Sequence, residues 1–163
     1  MLWYNSGMKP TVYIETTIPS YLTAWPSANL IRAAHQQITR DWWAKRDAFD
    51  FYASPLVIQE CEAGDAIAAA ARLAVLLGIP LLEESAAAVK LAKLLIAGVP
   101  LPLKATADSL HIAVAAVHGM KYLVTWNCTH IDNATMRPQI DLICRAAGFE
   151  PPLICSPEEL NHG

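Results

Sequence analysis

Apolar and polar positions change period several times along the chain, and the changes divide it into alternating strands and helices. Residues 11–15 (TVYIE) are short, β-rich and mostly apolar, the pattern of a buried strand. Thr16, Thr17 and Pro19 follow and suit a strand-to-helix turn with capping hydroxyls. Residues 28–49 form a long helical segment in which Ile31, Ala34, Ile38, Trp42 and Phe49 make one apolar stripe. Residues 51–54 read as a second strand. Ser54 and Pro55 then open a helix through Glu60, with Ser54 as N-cap and Pro55 at the first helical position. Gly64 and Asp65 break it, and residues 66–77 continue as a helix ended by Gly78. A third strand is expected over 79–82, a helix over 85–96, and a proline-containing loop over 99–103. The helix over 104–118 is stopped by Gly119. A fourth strand over 122–125, a polar loop over 126–133, a helix over 137–147 closed by Gly148, and an edge strand over 153–155 complete the order.

This alternation predicts an α/β sandwich with a central, mostly parallel five-stranded sheet covered by helices on both faces. The 163 residues suit one domain. Residues 1–7 precede a second methionine, Met8, and are set aside as an N-terminal extension, which leaves 8–163 as a single domain. With 54% hydrophobic and 17% charged residues, intrinsic disorder is excluded as a description of the whole. The formal charge of −3, from 12 Lys plus Arg against 15 Asp plus Glu, argues against a protein held to nucleic acid by bulk positive charge. A local basic groove is still compatible with it. Cys61, Cys128, Cys144 and Cys155 include no CxxC pair and no zinc-like spacing, so reduced thiols in a cytoplasmic protein are expected. No apolar stretch has the length of a membrane span, and no signal peptide is expected.

In open α/β sheets, function collects beyond the carboxyl ends of the strands. Four residues fall there: Glu15 closing the first strand, Glu60 on the helix after the second, Asp108 near the start of the 104–118 helix, and Asn127 after the strand YLVTW. Three converging carboxylates without cations would repel one another. Hard divalent cations remove that problem and prefer oxygen ligands, so the cluster suggests Mg²⁺ or Mn²⁺. The usual chemistry of such a site is phosphodiester hydrolysis by a metal-activated water. Taken singly, each residue also has an ordinary reading: a strand-end acid, a solvated helix residue, a first-turn dipole partner and a turn asparagine. His111, one turn after Asp108, orients it, contacts phosphate, or is a packed helix histidine with a partner. His130 and Asp132 are alternatives on the loop. Arg32, Arg40, Lys45, Arg46 and Arg137 either guide an RNA backbone or form solvated faces. Of the adjacent Trp42 and Trp43, at least one is expected to leave the core, and with Trp25 to offer an interface anchor.

The segments VYIETTIPSYL (12–22), SPLVIQECEAGD (54–65), ADSLHIAVAAVHGMKYLVTWNCTHI (107–131) and ICSPEEL (154–160) together resemble the PIN-domain family. Within it they resemble the VapC-like toxins of type II toxin–antitoxin pairs. The resemblance spans Val12 to Leu160. It implies a five-stranded parallel sheet and a metal-dependent ribonuclease site. Glu15, Glu60 and Asp108 would be its catalytic and metal-binding acids, and Asn127 would stand at the usual fourth acidic position. Thr16 and Thr125 would line the site beside the substrate, with His111. RNA as substrate, an antitoxin protein as partner and a homodimer are further implications. Two positions depart from the pattern. The first acid is Glu rather than Asp, and the fourth is an amide, which adds no charge. One tightly held cation, with a second brought by the substrate phosphate, is therefore expected. The competing reading is a PIN-fold module, catalytically weak or inactive, that binds RNA or protein. An unrelated dinucleotide or P-loop enzyme is disfavoured, because no glycine-rich phosphate loop follows the first strand.

Overall fold

The computed structural model describes residues 7–99 and 105–161. The expected N-terminal extension lies outside them except for Gly7, and so does the expected loop except for Val99. Four strands form one sheet: β1 (Thr11–Ile14), β2 (Asp50–Tyr52), β3 (Tyr122–Val124) and β4 (Leu153–Cys155). Their order is β2-β1-β3-β4, and every pair is parallel. On the central strands, Val12, Tyr13, Ile14, Leu123 and Val124 are sealed from solvent. Burial of consecutive residues means that both faces are covered, as parallel sheets require.

The helices are α1 (Thr17–Thr23), α2 (Leu30–Trp43), α3 (Pro55–Cys61), α4 (Ala66–Val75), α5 (Ala86–Gly98), α6 (Ala105–Val117), α7 (Arg137–Ala146) and α8 (Pro157–Asn161). α5 packs on α6 and α7, α1 on α2 and α4, and α2 on α8. Gly119, at φ 67°, turns the chain from α6 into β3, a conformation that favours glycine.

Among the described residues the sheet has four strands where five were expected. Residues 79–82 contribute a single parallel bridge, Ala53 to Leu81, beyond β2. Pro80 accepts from Ala53 N–H at 3.1 Å through its carbonyl but has no N–H to return, so the segment adds one rung instead of a ladder.

The long helix expected over 28–49 also differs. α2 stops at Trp43, and a 3₁₀ turn follows at Arg46–Ala48. Ile31 and Ala34, from the expected apolar stripe, face solvent, and the buried side chains are Gln36, Thr39 and Trp42. Polar burial explains the rotation. The Gln36 amide accepts from Ser27 N–H and donates to the Trp25 carbonyl, tying the α1–α2 connection to the helix. Thr39 Oγ1 accepts from the Trp126 indole at 2.7 Å. Trp43 is half-buried while Trp42 is enclosed, and Trp25 is 90% exposed.

Candidate metal centre

Parallel register sets the site. Ile14 pairs with Val124, so the next residues, Glu15 and Thr125, emerge side by side at the carboxyl edge of the two central strands. The chain leaves β1 toward β2 and leaves β3 toward β4, so this edge is the point where the strand order reverses. Crevices form there in open α/β sheets.

Glu15 is nearly enclosed, at 5% exposure. Its Oε2 accepts three hydrogen bonds: from Thr17 Oγ1 at 2.6 Å, from Thr17 N–H at 3.1 Å, and from Thr125 Oγ1 at 2.7 Å. Thr17 Oγ1 accepts in turn from Trp126 N–H. Among the described residues, Oε1 takes no hydrogen bond.

Glu60, near the end of α3, is arranged alike. Its Oε1 accepts from Thr16 Oγ1 at 2.7 Å and meets His111 Nε2 at 2.6 Å. Among the described residues its Oε2 is free of hydrogen bonds. Burial works against the charge on Glu60. The hydrogen bond from His111, with that from the Thr16 hydroxyl, outweighs it and holds the carboxyl below its ordinary value. His111 is 1% exposed, and its other nitrogen, Nδ1, lies 2.7 Å from the Tyr13 hydroxyl.

Ligand atoms of Glu15, Glu60 and His111 lie within 4.8 Å of one another. Asp108 is not a member of that group. Its Oδ1 accepts from Asn127 Nδ2 at 3.2 Å, and its Oδ2 meets His130 Nδ1 at 3.1 Å. Asn127 Oδ1 accepts from His130 N–H, and Asn127 N–H donates to Thr125 Oγ1. These partners fix the amide orientation, because the nitrogen faces a carboxylate and the oxygen faces an N–H. Asn127 therefore offers its oxygen to its own loop and its amino group to Asp108. The line Asp108–Asn127–Thr125–Glu15 joins the two halves of the site.

The sequence-derived residues are thus brought to one edge in two groups. Glu15, Glu60, His111, Thr16 and Thr125 form the first, and Asp108 with Asn127 forms the second. Thr16 and Thr125 spend their hydroxyls on the acids. Asp132, an alternative from the loop, is paired with Arg137 instead. Sequence reasoning missed Tyr13 and gave Ser54 and Thr17 only capping roles. A tyrosine inside a strand buried on both faces needs a partner for its hydroxyl, and that signal was available.

The donor chemistry fits a hard divalent cation. Among the described residues, no Lys or Arg pairs with Glu15, Glu60 or Asp108. Each glutamate has one oxygen tied by neutral donors or histidine and one oxygen left over. His111 does not fit as a ligand, because Nε2 faces a carboxylate oxygen and must carry a hydrogen.

No protein-family model matches the chain. No curated protein matches it either. Among solved structures, it is similar to a chain of the crystal structure of VapBC2 from Rickettsia felis bound to a DNA fragment from its promoter. The TM-score is 0.52 at 13% identity, over 90% of this chain and 98% of that one. That likeness, with the parallel sheet between helix layers, shows a VapC-like, PIN-like fold.

Proposed function

We propose that the protein is a Mg²⁺- or Mn²⁺-dependent endoribonuclease and the toxin of a toxin–antitoxin pair. The observation that carries this reading is the state of the two glutamates. Both sit at the strand-order reversal, and among the described residues each has one oxygen fixed and one uncommitted, with no Lys or Arg paired to it. Glu15 and Glu60 would hold the cation. A bound divalent cation supplies Lewis-acid polarisation of a phosphate and a lowered pKa for water. Asp108, oriented by Asn127 and His130, takes the proton of the attacking water. Thr16, Thr17 and Thr125 keep the glutamates from rotating.

The fold neighbour is VapBC2 bound to a DNA fragment from its promoter, which supports an antitoxin partner here. Trp25, Leu30 and Ile31, exposed on the α1–α2 connection and the start of α2, supply apolar surface for that partner or for a homodimer. RNA guidance by the basic residues falls mainly to Arg32. Arg40, Lys45 and Arg46 donate to the carbonyls of Ala24, Asn161 and Trp43, and Arg137 is paired with Asp132.

A second reading, a PIN-fold binding module without catalysis, is favoured by one feature. Both oxygens of Asp108 are engaged, and it stands outside the Glu15–Glu60 group. Mn²⁺ calorimetry with RNA cleavage on the same samples separates the two. The nuclease reading expects wild type to bind Mn²⁺ and cleave, and Asp108→Asn to cleave at least about 100-fold more slowly. Cleavage unchanged in Asp108→Asn counts against the assignment. Wild type that neither binds nor cleaves supports the binding module.

A further inference from the structure

We propose that a buried chain, Ser54–Tyr13–His111, positions Glu60 by fixing which His111 nitrogen presents a hydrogen to it. The proposal rests on the reading of Glu60 as a metal ligand. His111 is then a positioning residue with no direct contact to substrate.

The chain is continuous. Ser54 Oγ lies 2.8 Å from the Tyr13 hydroxyl, which lies 2.7 Å from His111 Nδ1, and His111 Nε2 lies 2.6 Å from Glu60 Oε1. Ser54, Tyr13 and His111 are enclosed, and only the Glu60 end reaches the edge of the site. The direction of donation follows from the ends. An ionised Glu60 only accepts, so Nε2 carries the hydrogen. Nδ1 then accepts from Tyr13, and Tyr13 accepts from Ser54.

Ser54 supplies an independent sign. It occupies the N-cap of α3, yet its hydroxyl caps nothing. The Leu56 N–H that opens the helix is taken by Glu84 Oε1 at 2.6 Å. The Ser54 hydroxyl is free for Tyr13 because another residue has assumed the capping role.

The chain also ties together the elements that carry the acids. β1 brings Tyr13 and, two residues later on the same face, Glu15. α3 brings Ser54 and Glu60. α6 brings His111 and, one turn earlier, Asp108.

The test uses the whole protein. In metal-free samples, ¹⁵N NMR of the His111 ring is expected to show a bare Nδ1 and a protonated Nε2. A proton on Nδ1 overturns the proposal. Mn²⁺ calorimetry then compares wild type with Tyr13→Phe, His111→Leu and His111→Gln, with thermal unfolding as control. His111→Leu is expected to weaken Mn²⁺ binding by about 10- to 100-fold, and Tyr13→Phe by about 10-fold. His111→Gln, whose amide N–H reaches the place of Nε2, is expected to stay near wild type. If His111→Leu does not fold, Tyr13→Phe and His111→Gln decide. Variants that bind Mn²⁺ like wild type but melt earlier show a chain that only satisfies the core, which overturns the inference and leaves the nuclease reading standing. Wild type that binds no Mn²⁺ overturns both.

Discussion

Glu15 and Glu60 are held differently from Asp108. Among the described residues each glutamate is fixed at one oxygen, and the fixing groups come from the turn into α1 and its first residue, the residue after β3 and the α6 histidine. These elements are enclosed and packed against one another. Asp108 is instead gripped at both oxygens by residues of one loop, Asn127 and His130. Anchoring at one oxygen leaves the second free to bind a cation, and anchoring at both orients a group without freeing it. The same chemical function, a carboxylate, is thus prepared for two tasks by the number of its oxygens left over. The Asp132–Arg137 pair marks the third possibility, an acid neutralised by a cation and withdrawn from chemistry.

The largest expected effect breaks this contrast directly. Glu15→Gln and Glu60→Gln should each lower Mn²⁺ affinity by more than about 100-fold and abolish cleavage, because an amide oxygen carries no charge to a hard cation. Asp108→Asn should lose cleavage yet keep Mn²⁺ affinity within about 10-fold of wild type. Calorimetry and cleavage on matched samples measure both. Should Asp108→Asn lose Mn²⁺ as completely as the glutamate variants, Asp108 is a ligand and the division of labour is wrong. Asn127→Ala, which frees one Asp108 oxygen, is expected to slow cleavage by about 10-fold.

This contrast was only half visible in the sequence. The strand ends were legible because short apolar runs bounded by polar residues mark strands, and the parallel register then brings Glu15 beside Thr125. That positioned the acids at one edge. It did not show which oxygens were spoken for, because that depends on side chains far apart in sequence, such as Thr16 with Glu60 and His111 with Tyr13. Thr16 and Thr17 read as capping residues by local rule, and the acids outcompete the helix end for their hydroxyls. The same limit explains α2. Its apolar periodicity pointed to Ile31 and Ala34, but Gln36 and Thr39 are enclosed because Trp25, Ser27 and Trp126 satisfy them. The fifth strand was lost to the missing N–H of Pro80.

A second test of the contrast uses acid, in metal-free protein. The carboxyl of Glu60 is held below its ordinary value, despite burial, by His111 and Thr16. A depressed folded pKa adds stability that is fully present above the unfolded value and is lost as pH falls through the folded one. Wild type should therefore exceed Glu60→Gln in urea midpoint at pH 7, and the gap should close as the pH drops below about 4.5. A gap of constant size down to pH 3 would mean that the charge of Glu60 adds nothing to the fold.

The smallest expected effect concerns the loop that grips Asp108, through the cysteine that neighbours Asn127. All four thiols are unpaired, and Cys128 is the exposed one. Burial pushes Cys61 and Cys144 up to about 11 and Cys155 up to about 12, which leaves little thiolate at neutral pH and no route for a reagent. Burial also raises Cys128, with Asp132 and Glu159 adding to it, so its alkylation should be slow but measurable. Mass spectrometry after iodoacetamide at pH 8 should find one label per native chain, on Cys128, and four after unfolding. Mn²⁺ bound by Glu15 and Glu60 should leave that rate nearly unchanged, because neither residue touches the loop except through Thr125, Thr17 and the backbone of Asn127 and Trp126. A marked slowing by Mn²⁺ would show the cation ordering the loop itself, and would move Asp108 into the same group as the two glutamates.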